Sequence, residues 1–329
     1  MLIRRLSKGY YLLFSILLLG VIHNSHAQNY PNKPIHLVVS FAPGGTSDLV
    51  ARVLQSKLGE ALGQPIIIDN KPGASGNIGL DYAAKAAPDG YTIYLGNIGA
   101  LAINPSLFPN LKINTLRDLI PITLVADLPG VLTVPQALPV NNIAELSALL
   151  KANPGKFNFA SPSSGSVNRL QVERYIRSIN ASLVHVTYKG GAAAASVSLV
   201  SGETQMAFLN ISSVREFINA GKLKGLAITT TNRLPEFPNI PTVVELGYPE
   251  LVGGSWTMLA APAGTPKEII NKIYNAAIKT LSMPEIKESF DRQGAIVVTS
   301  KSPEAAKEFL SIEIQRWGKV VKEVGASPD

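Results

Sequence analysis

The residues of this chain best suited to chemistry are donors rather than acids or bases. Thr46, Ser47 and Asp48 stand directly after Phe41-Ala42-Pro43-Gly44-Gly45. An apolar run, 35–39, precedes that segment, and an amphipathic run, 49–62, follows it. The order reads as strand, tight glycine turn, helix. Gly44 and Gly45 let the backbone turn sharply and leave its N–H groups uncovered. Thr46 or Ser47 has the side chain of a helix cap. A helix N-terminus carries unpaired N–H donors and about half a positive charge, so such a turn seats a carboxylate or a phosphate. The plainer alternative is a capped turn with no ligand.

The same pattern recurs. Residues 157–160 lead into Ser161-Pro162-Ser163-Ser164-Gly165-Ser166 and then a helix. Tyr188-Lys189-Gly190-Gly191 and Asn210-Ile211-Ser212-Ser213 are further starts of this kind. Open α/β sheets hold ligands beyond the carboxyl ends of their strands, where helix N-termini converge. Several seats fit a cleft ligand with more than one anionic or polar end, although α/β chains carry many such turns. Arg169 and Lys189 are the charged candidates. Arg169 falls in the first helical turn beside the Ser/Gly loop, where a guanidinium grips a carboxylate through two parallel bonds. Otherwise it is a solvated surface arginine, as Arg174 and Arg177 further along are expected to be.

Catalytic groups are sparse. Beyond residue 27 the only histidines are His36 and His185, both in strand-like runs, and no paired-histidine zinc spacing exists. Ser163, Ser164 and Ser166 lack the Gly-x-Ser-x-Gly elbow of a hydrolase. Gly73 to Gly79 has the wrong glycine spacing for a dinucleotide loop, and no phosphate-binding Gly-Lys-Ser/Thr loop is present. The absence of cysteine excludes disulfides, thiolate metal sites and a thiol nucleophile. No cofactor, no metal and no enzymatic activity are therefore expected.

The elements that must position these loops follow from the hydropathy pattern. Arg4, Arg5 and Lys8 precede a short apolar run, 12–22, and Ser25-His26-Ala27 offers small residues for cleavage, so 1–27 reads as an export signal cut after Ala27. Loss of those three basic residues lowers the net charge from +7 to +4. Without a Lys/Arg run or interleaved aromatics, no nucleic-acid surface is expected. The remainder alternates strand candidates with helix candidates. The strands are 35–40, 66–69, 92–96, 122–125, 131–134, 157–160, 183–187, 206–209, 226–229 and 256–260. The helices are 48–62, 77–86, 143–152, 167–180, 192–201, 213–220, 266–281, 284–293 and 303–324. Alternation at this spacing implies an α/β fold with mostly parallel sheets. The length allows two domains. The tail from 266 is nearly all helix with no strands of its own, so the chain is expected to cross to a second domain near 126–130 and return near 253–256. The expected division is 28–128 for the first part of domain 1, 129–254 for domain 2, and 255–329 for the return to domain 1.

The sequence resembles the tripartite tricarboxylate transporter receptors, the Bug family of periplasmic solute-binding proteins, over nearly the whole mature chain. The resemblance rests on 41–48, Asn70-Lys71-Pro72-Gly73-Ala74-Ser75-Gly76-Asn77-Ile78-Gly79, Pro88-Asp89-Gly90-Tyr91-Thr92 and Ala102-Ile103-Asn104-Pro105. Tyr188-Lys189-Gly190, Ile240-Pro241-Thr242 with Glu245, and Ala261-Pro262-Ala263-Gly264-Thr265-Pro266 complete it. It implies a type II-like periplasmic-binding-protein fold, with two α/β domains closing by hinge motion on a ligand cleft. It implies backbone seats for a carboxylate at Ala42, Gly44, Gly45, Thr46 and Ser47, with an opposing loop at Ser163, Ser164, Gly165, Ser166 and Asn168. Asp48 matches an acidic position expected to order the loop rather than meet an anion. Asn97, Tyr188, Asn210 and Trp256 match positions near the cleft. The chain departs from the family where Arg169 replaces a usual histidine and Ser40 and Thr187 replace prolines. Arg169 is thus expected to grip the distal carboxylate of a dicarboxylate or to line the rim. The implied function is a monomeric periplasmic receptor that captures a small organic acid for membrane transporter subunits. The alternatives are a sensing subunit that reports to a sensor kinase, or an enzyme acting on carboxylates.

Overall fold

The structure, a computed structural model, describes residues 30–188 and 190–328. The expected export signal and Lys189 lie outside the described residues. The elements in chain order are β1 (Ile35–Val39), α1 (Thr46–Leu62), β2 (Ile66–Asn70), a tight turn Ala74–Gly76, α2 (Asn77–Ala84) and β3 (Thr92–Asn97). A π-helical turn Gly99–Ile103 runs into α3 (Asn104–Leu107), then α4 (Thr115–Asp118), β4 (Leu119–Asp127) and β5 (Gly130–Pro135). Next come α5 (Ile143–Ala152), β6 (Asn158–Ser161), α6 (Val167–Ser178), β7 (Val184–Thr187), α7 (Gly191–Ser201), β8 (Ala207–Asn210), α8 (Ile211–Asn219) and β9 (Leu223–Ile228). The chain ends with β10 (Thr257–Pro262), α9 (Lys267–Leu281), α10 (Pro284–Asp291), β11 (Ile296–Val297) and α11 (Pro303–Val324).

The α/β class holds. All ten expected strands form, with ends shifted by up to three residues. The expectation of mostly parallel sheets is corrected: the sheets are mixed. The first has the order β11-β4-β10-β3-β1-β2. β1 pairs parallel with β2 and β3, whereas β10 lies antiparallel between β3 and β4. The other half carries a three-stranded sheet, β8-β5-β9, and a two-stranded sheet, β6-β7. β6 pairs parallel with β7 and makes a parallel bridge from Phe159 to Met206, just before β8. β5 lies antiparallel between β8 and β9. In each half the inserted strand arrives from the other half, and one inserted strand makes two antiparallel pairs. The tail also contributes the short strand β11, against Asp127 and Ala126, which sequence patterning does not reveal.

Side-chain alternation explains the layers. Ile35, Leu37 and Val39 of β1 face one core with α1, α9 and α10, while Val38 faces a second core with α11. Leu259 and Ala261 of β10 join the first core, and Met258 and Ala260 the second. A period of two along a strand dictates this split. The other sheet buries Leu132 and Val134 on one face and Val131 on the other. Val167 and Leu170, at the start of α6, join the core that holds Trp256, Leu310 and Trp317. The two halves therefore share apolar surface there. Among the described residues no helix is long and apolar enough to cross a membrane.

Candidate functional site

The loop after β1 is a tight glycine turn that leads into α1. Gly44 takes a left-handed conformation, φ +79°, which a side chain would oppose. Its N–H donates to Asp48 Oδ2 at 2.9 Å. The Gly45 N–H donates to the Ala42 carbonyl at 3.1 Å. Both amides thus hold the turn together. Thr46 and Ser47 do not cap the helix: Gly45 holds the N-cap position without a side-chain bond. The first-turn amides of Thr46, Ser47 and Asp48 have no acceptor within the helix. The Leu49 N–H is the first to reach back, to Gly45 at 3.0 Å.

Asp48 is fully buried and faces back into the loop. It accepts from Arg52 Nε at 2.7 Å and from Asn70 Nδ2 at 3.0 Å, besides Gly44. Burial raises its carboxyl pKa, but bonds from Arg52, Gly44 and Asn70 outweigh burial and hold it below the usual aspartate range. Its charge is thus compensated within the loop, and Asn70 Nδ2 also fixes the Phe41 carbonyl at 2.9 Å.

The opposing loop closes on itself around the Ser163 carbonyl. That oxygen accepts from Ser161 Oγ at 3.2 Å and from Ser166 Oγ at 2.8 Å. Ser166 then caps α6 by accepting from the Arg169 N–H at 3.2 Å. Ser161 Oγ also meets His185 Nε2 at 2.7 Å, and His185 stacks on Phe159. Asn168 Nδ2 donates to Asn210 Oδ1 at 3.3 Å, joining the starts of α6 and α8.

The opposing loop packs closely on the 74–76 turn and on the segment 99–104. A Cβ on Gly165 would fall 2.1 Å from Asn104 Oδ1 and 3.4 Å from Ser75 Cβ. A Cβ on Gly99 would fall 2.5 Å from the Gly165 carbonyl oxygen. One on Gly76 would meet Phe41, Ser40 and Ala100 at 3.3 Å. Ser75, Gly99 and Asn104 were not assigned to the site from sequence. Nothing local says that Ser75 and Asn104 face a loop about 90 and 60 residues onward.

Other expected contacts are redirected. The Arg169 guanidinium is buried and engaged: Nε pairs with Glu173 at 2.8 Å, and Nη1 donates to the Ser164 carbonyl at 3.3 Å and the Ser327 carbonyl at 2.7 Å. This replaces both the carboxylate grip and the rim position. Arg174 is not solvated but reaches the Glu250 carbonyl, whereas Arg177 is exposed. Trp256 is core, with Nε1 on Glu313 Oε2 at 2.8 Å, an oxygen that also accepts from Trp317 at 3.0 Å. Asn97 Oδ1 accepts from the Ala100 N–H at 3.0 Å, so that oxygen serves the turn. Tyr188 packs against the core of the second sheet, and burial raises its hydroxyl pKa. At the crossing, Ser255 N–H reaches Leu128 at 2.9 Å, and Gly130 N–H reaches Thr229 Oγ1 at 2.8 Å.

Residues 50–326 match the family described as tripartite tricarboxylate transporter family receptor. The chain is 39% identical to protein BugT of Bordetella pertussis (strain Tohama I) over 308 residues, 93% of this chain and 94% of that one. A solved structure of an R. palustris protein with adipate is 31% identical, covers 91% of this chain and 100% of its own, and superposes with a TM-score of 0.85. MatC from Rhodopseudomonas palustris with bound malate is 30% identical, covers 89% and 100%, and gives 0.82.

Proposed function

The chain belongs to the tripartite tricarboxylate transporter receptor family, whose members are solute-binding receptors and not enzymes, and from that premise we propose that it captures a small dicarboxylate. The observation that supports this most is the place of the second donor-rich loop. The Gly165 backbone lies against Gly99, Asn104 and Ser75, and the 74–76 turn that carries Ser75 packs through Gly76 on Phe41 of the first donor loop. In this reading one carboxylate sits on the first-turn amides Thr46, Ser47 and Asp48. The other end meets the 163–166 loop and the Asn168–Asn210 pair. Two similar proteins hold malate and adipate, both dicarboxylates. The division at 28–128, 129–254 and 255–329 then describes two lobes that rotate about the two crossings. Export under the 1–27 signal and delivery to transporter subunits complete the proposal.

The test is a thermal-shift panel of mono-, di- and tricarboxylates on protein unfolded and refolded to strip carried solute. A ligand specific to the folded state raises stability by about 2.7 kcal/mol at a hundredfold excess over Kd. A shift confined to dicarboxylates supports the reading; a flat panel contradicts it.

A further inference from the structure

Helix α11 belongs to the half built on the six-stranded sheet, through Leu310, Trp317, Val320 and Val321. Yet its far end is fastened to the other half. Glu323 lies 3.9 Å from Arg174 of α6, and Arg316 Nη2 donates to the Val252 carbonyl at 2.7 Å. Just beyond the helix, the Ser327 carbonyl accepts from Arg169 Nη1 at 2.7 Å. The same Nη1 holds the Ser164 carbonyl at 3.3 Å, inside the loop that meets Gly99. Arg169 is 6% exposed on its side chain, and Glu173 at 2.8 Å fixes its Nε. A single guanidinium nitrogen therefore joins the segment after α11 to the 163–166 loop.

We propose that Arg169 is a positioning residue that latches the segment following α11 to the 163–166 loop and so holds the two halves in the closed arrangement. The latch is made of one planar fork. Its Nε face is set by Glu173, which turns Nη1 toward both carbonyls at once. A lysine presents one compact ammonium on a flexible stem and has no second face to be held by the glutamate. Rotation of the halves apart separates Ser327, carried by α11, from Ser164, carried by the second half. The latch thus opposes opening without touching a ligand. Its role in regulating capture rests on the reading of the cleft above, but the latch itself does not.

The test exploits the absence of native cysteine. Two cysteines, Lys85→Cys at an exposed position just after α2 and Ser201→Cys at the exposed last residue of α7, carry spin labels, and inter-label distances are measured by pulsed electron resonance on refolded protein without added solute. Three backgrounds are compared: the full chain, a chain ending at Ala326, and Arg169→Lys. The expected result is a short-distance population in the full chain. Its ratio to longer distances falls about threefold or more in both variants, as for loss of one net hydrogen bond. Unfolding temperature and circular dichroism stay unchanged. Equal distributions in the three proteins overturn the latch, as does a full chain with no short-distance population. A shift seen only together with a collapse of the unfolding temperature also overturns it. No carboxylate enters the measurement, so a flat solute panel leaves the latch standing, and a failed latch leaves the solute reading standing.

Discussion

Gly165→Ala probes the contact between the 163–166 loop and Asn104. The added Cβ would lie 2.1 Å from Asn104 Oδ1. An ordinary contact begins near 3.4 Å, so more than 1 Å must be recovered. Asn104 has little freedom to give way. It is fully buried, and its Nδ2 is held by the Ser75 carbonyl at 3.0 Å and Asn77 Oδ1 at 2.7 Å. Gly165 is absent from the left-handed glycines, so alanine suits the local backbone. The clash therefore exists only while the two loops touch, and opening relieves it. Overpacking of a close contact costs about 1–3 kcal/mol, which corresponds to about 5- to 140-fold in Kd. Calorimetric titration with the best carboxylate of the panel measures this against wild type. The expected result is a weakened Kd with the ligand-free unfolding temperature kept within about 1 °C. An affinity within about twofold of wild type would show that the loops do not meet in the bound state and would refute the reasoning.

Other perturbations follow from the same contacts. Asp48→Asn removes a buried charge that holds Gly44, Arg52 and Asn70; we expect a loss of about 1.5–3 kcal/mol in urea unfolding at pH 7. Because the folded value of Asp48 is depressed, its contribution is present above the ordinary aspartate value and is lost as pH falls through the folded one, so the variant's deficit shrinks in acid. Asp127, at the end of β4, behaves oppositely: burial, with the Glu313 charge adding, raises its carboxyl to about 6. The folded state then holds the extra proton, so stability from this group falls as pH rises from about 4 to about 6 and stays low above. Asp127→Asn is expected to raise stability at pH 7.5 by about 1–3 kcal/mol and to flatten that slope in urea titrations at several pH values. Glu313→Gln removes the charge from the oxygen that both indoles share and from the partner of Arg316; tryptophan fluorescence should change and stability fall by about 1–3 kcal/mol, since both tryptophans of the chain sit on that carboxylate.

What the sequence makes legible is local. The alternation of 35–39 and the glycine pair after it place β1, the turn and α1 where they form, and Ser166 stands at its cap. Asp48 does order its loop, because its partners Gly44 and Arg52 lie within one helical turn. What stays hidden depends on distant partners. Arg169 finds Ser327 across 158 positions, and Trp256 finds Glu313 across 57. A guanidinium beside a serine loop looks like a ligand grip until the segment that occupies it is placed there by the fold. The antiparallel insertions are hidden for the same reason. β10 and β5 read as ordinary buried strands, and only the crossing of the chain sets their direction.

Recognition of two carboxylates by the two loops is open to calorimetry. Refolded protein beginning at Gln28 should be titrated in a calorimeter with malate and adipate, each beside its diethyl ester. At least one diacid is expected to bind one-to-one and its ester not at all, because only the charged oxygens match the helix-start amides. Equal binding of acid and ester, or no heat from either diacid, would contradict it.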